Sequence, residues 1–229
     1  MECLCLTFVL AATVEWVTMT PDDVEYVRKL VHGGTIGGPV LELGAGYGGT
    51  TSRKEIERAG LEYKTTDISI GPGVDYAADF EADDVSVAIP RADFGSVLVL
   101  NVLEHAFAPI TVLDNAIRIT RTGGTVVTIT PTMWPVHNYP RDHQRLLPDW
   151  FVTFAERRPG VRLVESHFEF LGRGLVAEFA QGELRNLPPP WRNEASSFYT
   201  RGVNKLFNTA SRGQWAAPHC AIGAVFQKL

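Results

Sequence analysis

At 229 residues, with 45% hydrophobic and 21% charged residues, the chain has the size and composition of one soluble globular domain. Its net charge of -5 argues against a nucleic-acid partner, because phosphate binding normally needs a basic surface. The three cysteines form no disulfide framework and show no metal-ligand spacing. We therefore expect a reducing, cytoplasmic setting and no metal.

The chain begins with an apolar run at 3–12 that is too short to span a bilayer. No Lys or Arg precedes this run, as a secretion signal would require. We therefore predict that 1–19 is an N-terminal arm, either an extra strand or a packing arm, or else sequence upstream of a natural start at Met19, with no membrane association. A helix is predicted next, starting at the capping pair Thr20-Pro21 and ending at the glycines 33–34.

The stretch 40–49 predicts a strand, a tight glycine turn and the start of a helix. Gly44 and Gly46 allow a sharp turn and the close approach of a ligand to the backbone. Glu42, two residues before the first glycine, disfavours a pyrophosphate and suits a cationic ligand. S-adenosylmethionine, which has an ammonium and a sulfonium and no phosphate, fits this pattern better than a nicotinamide dinucleotide does.

Strands and helices alternate through the next part of the chain, which predicts a doubly wound, mostly parallel sheet of the α/β class. Further helices are predicted at 50–59, 109–120 and 148–157, and further strands at 61–66, near 78–80, at 96–100, 125–130, 161–170 and 220–226. These strands and the first one make seven, all within a single domain, 1–229.

The segment 171–218 shows no strand pattern but contains an amphipathic helix, whose apolar face runs from Tyr199 to Ala210. It interrupts the chain before the last strand and is long enough to cover a pocket. We predict that it is a lid outside the sheet. The same apolar stripe would serve equally well as a homodimer interface.

Polar residues occur where the predicted parallel strands end, and ligands bind at that edge of an open α/β sheet. An acid at the end of the second strand, about twenty residues beyond the glycines, can accept both ribose hydroxyls. The candidates in strand order are Glu42 with Gly44, then Asp67, Asp79, Asn101, and the segment 130–137.

With these positions in register, residues 40–158 resemble the class I S-adenosylmethionine-dependent methyltransferases. Within that class they are most similar to the small-molecule methyltransferase domains called type 11. The resemblance covers about half of the chain and does not identify a substrate. The matching pieces are 41–48, Asp67, 78–80, 102–105, 123–124 and 139–145.

The resemblance implies a cofactor site for S-adenosylmethionine. Its predicted residues fall into four groups: Glu42 with the backbone of Gly44, Ala45 and Gly46 for the methionine end; Asp67, with Ile68 beside it, for the ribose; Asp79 and Phe80 for the adenine; and Asn101, followed by Val102, for the amino-acid moiety.

Methyl transfer is an in-line displacement in which the protein mainly supplies alignment. An oxygen acceptor, which we expect over nitrogen or carbon, would still benefit from a general base such as histidine. His105 is the first candidate because it lies just past the fourth strand, whereas His137 and His143 lie in the loop after the fifth. Glu104 is interpreted as a structural residue.

Two alternatives remain open at this point. A nicotinamide-dependent oxidoreductase would also use a glycine turn, although Glu42 and the absence of a Tyr-x-x-x-Lys pair oppose it. An S-adenosylmethionine-binding domain without catalytic activity would retain the cofactor positions and act as an interaction partner. The expected partner is otherwise a small-molecule acceptor.

Overall fold

The structure is a computed structural model that describes residues 19, 21–47, 52–82, 84–89, 93–134, 136, 141–170, 174–180, 183–186 and 220–229. For 21–22, 133, 165–170, 174–180, 183–186 and 220 it describes the backbone alone. The predicted N-terminal arm, apart from Met19, lies outside the described residues.

The described elements alternate between strands and helices in the first half of the chain, as the sequence predicts. The helices are α1 (Pro21–His32), α2 (Arg53–Arg58), α3 (Pro109–Ile119) and α4 (Pro148–Glu156). The strands are β1 (Val40–Leu43), β2 (Tyr63–Asp67), β3 (Tyr76–Ala77), β4 (Phe94–Leu100), β5 (Thr120–Met133), β6 (Val161–Phe170), β7 (Gly174–Ala180), β8 (Glu183–Asn186) and β9 (Cys220–Lys228).

These strands form one sheet in the order β3-β2-β1-β4-β5-β9-β6-β7-β8. Pairing is parallel from β3 through β5 and antiparallel from β5 through β8. Of the described strands, β9 and β7 therefore run against the rest, and the sheet is mostly parallel in direction. The chain moves outward from β1 to β3 and then returns to the other side of β1 at β4.

The sheet differs from the predicted one in strand number. It has nine strands within the described residues, where the sequence predicts seven. The two additional strands, β7 and β8, fall in the segment predicted to be a lid outside the sheet, and they extend the edge beyond β6. That expectation is therefore wrong for 174–180 and 183–186. The predicted amphipathic helix lies outside the described residues, so its role as a lid or an interface stays a prediction.

The core has two layers, one on each face of the sheet. Along β4, Val97 and Val99 belong to the layer that contains α3 and α4, whereas Leu98 and Leu100 belong to the layer that contains α1. Each of these side chains is buried and contributes about 1.5–3 kcal/mol to folding. Because side chains alternate along a strand, this division confirms the doubly wound arrangement.

The same alternation determines where Glu42 lies. Leu41 and Leu43 belong to the core layer under α3 and α4. Glu42 therefore points to the other face, which Ile56 of α2 and Tyr63 of β2 help to fill.

No helix in the described part of the chain is long and apolar enough to cross a membrane.

Candidate active site

The carboxyl ends of β2, β1 and β4 lie side by side, because these three strands are adjacent and parallel. Here the strand order reverses, since the connection after β1 leads to one side and the connection after β3 returns to the other. Loops diverge at such a point and leave a crevice at the sheet edge, where ligands of open α/β folds bind.

The turn after β1 depends on glycine at two positions. Gly44 has a φ of +73°, which a residue with a side chain rarely adopts, and its amide donates to the Thr66 carbonyl at 2.9 Å. A Cβ at Gly44 would lie 3.0 Å from Cγ2 of Val102. The turn is therefore held between the ends of β2 and β4, with Ala45 half-buried within it.

Asp67, at the end of β2, is 6% exposed and bonds directly to this turn. Its Oδ2 accepts from the Gly46 amide at 2.9 Å, and its Oδ1 accepts from the Ile68 amide at 2.8 Å. A Cβ at Gly46 would lie 2.8 Å from Asp67 Oδ2, so a side chain there would push the turn and the carboxylate apart. The sequence predicts Asp67 at the site but not its bond to the glycine turn, which joins residues 21 positions apart.

Glu42 is 3% exposed and lies behind the glycine turn. Its Oε2 accepts from the Tyr63 hydroxyl at 2.9 Å, the Ser52 amide at 3.1 Å and the Ser52 hydroxyl. Burial raises the pKa of Glu42, and these hydrogen bonds oppose that rise. The carboxylate thus fastens the start of α2 to β1 and β2, while its predicted contact with a ligand stays a prediction.

The segment after β3 carries the predicted adenine contacts. Asp79 is exposed, and its Oδ1 accepts from the Glu81 amide at 2.8 Å, whereas Phe80 is buried. Asn115 of α3, which the sequence does not indicate as a site residue, donates to the carbonyls of Phe80 at 3.0 Å and Ala82 at 2.7 Å. This buried amide fixes the path of the segment. A lone Asn in an amphipathic helix gives no signal of that role.

Asn101 follows β4 and has a φ of 53°, in the left-handed region that Asn tolerates better than most residues. Its amide donates to the Ile129 carbonyl of β5 at 2.7 Å. Strained conformations of this kind cluster at ligand sites. The half-buried Val102 comes next and packs against the core.

His105 lies in the same loop, beside a buried carboxylate. Its Nδ1 is 2.6 Å from the Arg141 carbonyl, and its Nε2 is 3.7 Å from Oε1 of Glu104. Glu104 is 1% exposed, and its Oε2 accepts from the Thr130 hydroxyl at 2.9 Å. Burial raises the pKa of Glu104 to about 7. The structural role that the sequence suggests for Glu104 stays a prediction, and its carboxylate lies buried beside the His105 ring.

The other two predicted histidines have different outcomes. His143 is exposed, its amide donates to the Glu104 carbonyl at 2.8 Å, and its ring meets Phe107 edge-on at 5.8 Å. The segment 141–147 is therefore bonded to the loop after β4. His137 lies outside the described residues.

Comparisons with known proteins give no match to a protein-family model and no significant match among curated proteins. Solved structures do match. A SAM-dependent methyltransferase from Archaeoglobus fulgidus is 15% identical with a TM-score of 0.50, and the alignment covers 90% of this chain and 94% of that one.

A second match is the 1,6-didemethyltoxoflavin-N1-methyltransferase of Burkholderia thailandensis, solved with 1,6-didemethyltoxoflavin and S-adenosylhomocysteine. It is 12% identical with a TM-score of 0.54, over 90% of this chain and 78% of that one. The fold is that of the class I methyltransferases. This methyltransferase fold does not determine the reaction, since the cyclase SpnF is also similar, at 14% identity and a TM-score of 0.53 over 90% of this chain and 82% of that one.

Proposed function

We propose that the chain binds S-adenosylmethionine at the carboxyl ends of β1, β2 and β4 and methylates a small molecule. The observation that carries the proposal is the bond between Gly46 and Asp67 within a methyltransferase fold. It places a buried carboxylate against a turn where a Cβ would lie 2.8 Å from Asp67 Oδ2. A carboxylate held at this turn fits a ligand that presents hydroxyl groups.

The carboxylate of Asp67 keeps acceptor capacity for such hydroxyls. Each of its oxygens accepts one backbone amide, and a carboxylate oxygen can accept two hydrogen bonds. Asp67 would therefore hold the ribose, while the backbone of 44–46 and Asn101 would hold the methionine end. Asp79 and Phe80 would contact the adenine, because Asn115 fixes their segment beside α3.

The second half of the site would hold the acceptor. When bound, S-adenosylmethionine would supply an electrophilic methyl group, and the loops after β4 and β5 would orient the acceptor toward it. An oxygen acceptor must lose a proton as it takes the methyl group. The imidazole of His105, between the Arg141 carbonyl and Glu104, would take that proton.

Calorimetry with S-adenosylmethionine and S-adenosylhomocysteine tests the cofactor assignment. Both should bind, and Asp67→Ala should weaken both by about 1.5–3 kcal/mol, because a charged acceptor of hydrogen bonds is lost. Unchanged affinity in Asp67→Ala would remove Asp67 from the ribose site. NADPH should not compete, since a carboxylate repels a 2′-phosphate, and measurable competition would favour a nicotinamide-dependent oxidoreductase.

A screen of acceptors for the release of S-adenosylhomocysteine tests the enzymatic part. Turnover with a hydroxylated small molecule would support oxygen methylation. Cofactor binding without turnover on any acceptor, including amines, would instead support a cofactor-binding domain without catalytic activity.

A further inference from the structure

We propose that Glu104 and His105 share one proton, and that Glu104 is the positioning residue that holds this proton on Nε2 of His105. The consequence for catalysis rests on the proposed function. The proton sharing itself follows from the contacts of these two side chains and can be tested without an acceptor.

The tautomer of His105 follows from its partner at Nδ1. A backbone carbonyl accepts hydrogen bonds and cannot donate, so Nδ1, 2.6 Å from the Arg141 carbonyl, carries the hydrogen. In the neutral imidazole the lone pair is then on Nε2. A proton arriving at His105 therefore binds at Nε2, the nitrogen that lies 3.7 Å from Glu104 Oε1.

Two neighbours fix the carboxylate that faces Nε2. Thr130 of β5 is fully buried and donates to Oε2 of Glu104, which leaves Oε1 directed at the imidazole. The Glu104 carbonyl accepts from the His143 amide at 2.8 Å. The segment 141–147 thus holds both residues of the pair, Glu104 through His143 and His105 through the Arg141 carbonyl.

The other charges facing Glu104 come from that same segment and belong to one ion pair. Arg145 binds Asp142 through both of its terminal nitrogens, one of them 2.6 Å from Oδ2. Arg145 lowers the pKa of Glu104 and Asp142 raises it, so the two act in opposite directions. Burial is the largest influence on Glu104 and raises its pKa to about 7.

The pair therefore takes up its single proton at Nε2, opposite Oε1 of Glu104. Before uptake, His105 is a neutral base beside the Glu104 carboxylate. After uptake, that carboxylate stabilises the imidazolium. In the proposed reaction the acceptor O–H bond breaks, its electron pair forms the new bond to the methyl carbon, and its proton goes to Nε2. Glu104 forms no covalent bond and acts on the reaction through His105.

An NMR titration of the His105 ring protons tests the pair in the free protein. The chain has six histidines, and His105→Asn identifies the resonance by its disappearance. In Glu104→Gln the midpoint of the His105 titration should move to lower pH by about one unit or more, because the opposing charge is gone. An unchanged midpoint in a folded Glu104→Gln protein would overturn the proposal.

Two further variants keep the test decisive. Glu42→Gln removes another buried glutamate, one that lies in β1 at 3% exposure, and should leave the His105 midpoint where it is in the wild type. An equal shift in that variant would make the effect nonspecific and contradict the pair. If Glu104→Gln does not fold, Thr130→Val should produce a smaller shift in the same direction, and no shift would count against the proposal.

Turnover gives a separate readout once an acceptor is known. In Glu104→Gln the acid limb of the kcat/KM profile should move to lower pH while the KM for S-adenosylmethionine stays unchanged, and Glu104→Asp should restore the wild-type profile in part. An unmoved acid limb would contradict the pair. If the wild type transfers no methyl group, the proposed function fails and the NMR titration still decides the proton sharing.

Discussion

Glu42 lies in β1 and Glu104 in the loop that follows the adjacent strand β4; both are buried glutamates, and their surroundings differ. Glu42 is 3% exposed and directs its Oε2 at three donors, two on Ser52 and one on Tyr63. Glu104 is 1% exposed, has one donor at Oε2, and faces the His105 imidazole with Oε1. Similar burial therefore accompanies a fastening role in one case and, in our proposal, the holding of a proton on His105 in the other.

The two halves of the site differ in the same way. Around β1 and β2 the carboxylates accept from backbone amides and hydroxyls, which gives a rigid surface for a ligand with many polar groups. Around β4 and β5 the Glu104 carboxylate lies next to His105, so a proton bound at Nε2 would have a carboxylate opposite it. The following substitutions test this division, in order of expected effect.

Gly46→Ala should have the largest effect on the cofactor half. The new Cβ would lie 2.8 Å from Asp67 Oδ2 and 2.9 Å from its Cγ, so the turn and the carboxylate must separate. We expect S-adenosylhomocysteine affinity to fall by at least about a hundredfold, or roughly 3 kcal/mol, in calorimetry. Gly71→Ala is the matched control, because nothing lies within 4 Å of its Cβ position. Similar affinities in the two variants would contradict the role of Gly46.

Glu104→Gln should change the pH dependence of stability. In the folded protein burial raises the pKa of the Glu104 carboxyl from 4.5 to about 7. The folded state therefore binds this proton more tightly than the unfolded state, and the wild type loses stability as the pH rises from 4.5 to about 7. The loss should be on the order of 3 kcal/mol and should be absent in the variant. Urea unfolding at pH 5 and pH 8 measures it. Equal pH dependence in the two proteins would show that Glu104 is not the titrating group.

Tyr63→Phe should have the smallest effect. It removes the hydroxyl that donates to Glu42 at 2.9 Å and keeps the ring in the core. The free energy of unfolding should fall by about 1 kcal/mol, with no change in the His105 titration. A shifted His105 midpoint in Tyr63→Phe would show that the two halves of the site are coupled, which contradicts the separate roles given to Glu42 and Glu104.

Much of the parallel half could be predicted from the sequence, because its signals are local. An apolar run such as 96–100 predicts a strand buried on both faces, and the glycines of 44–46 predict the turn. The roles of Ser52, Tyr63 and Asn115 could not be predicted in this way. Their partners lie ten to thirty-five residues away, and the contacts exist only after the strands align.

The strands β7 and β8 were missed for a related reason. Glu178, Glu183 and Arg185 interrupt their apolar residues, so the two segments show no clear alternation. Their pairing extends an edge that β6 already provides, which is a property of the folded sheet and not of the segments. For Glu104, burial beside His105 likewise results from the packing of 141–147 against the β4 loop.

The central claim is that a ligand with the chemistry of S-adenosylmethionine binds where β1, β2 and β4 end. Titration of S-adenosylhomocysteine into ¹⁵N-labelled protein, followed amide by amide, tests it most directly. We expect the largest shifts at Gly44, Gly46, Ile68 and Asn101, and none in β7 or β8. Saturable shifts confined to other parts of the chain, or no shifts at millimolar ligand, would contradict the claim.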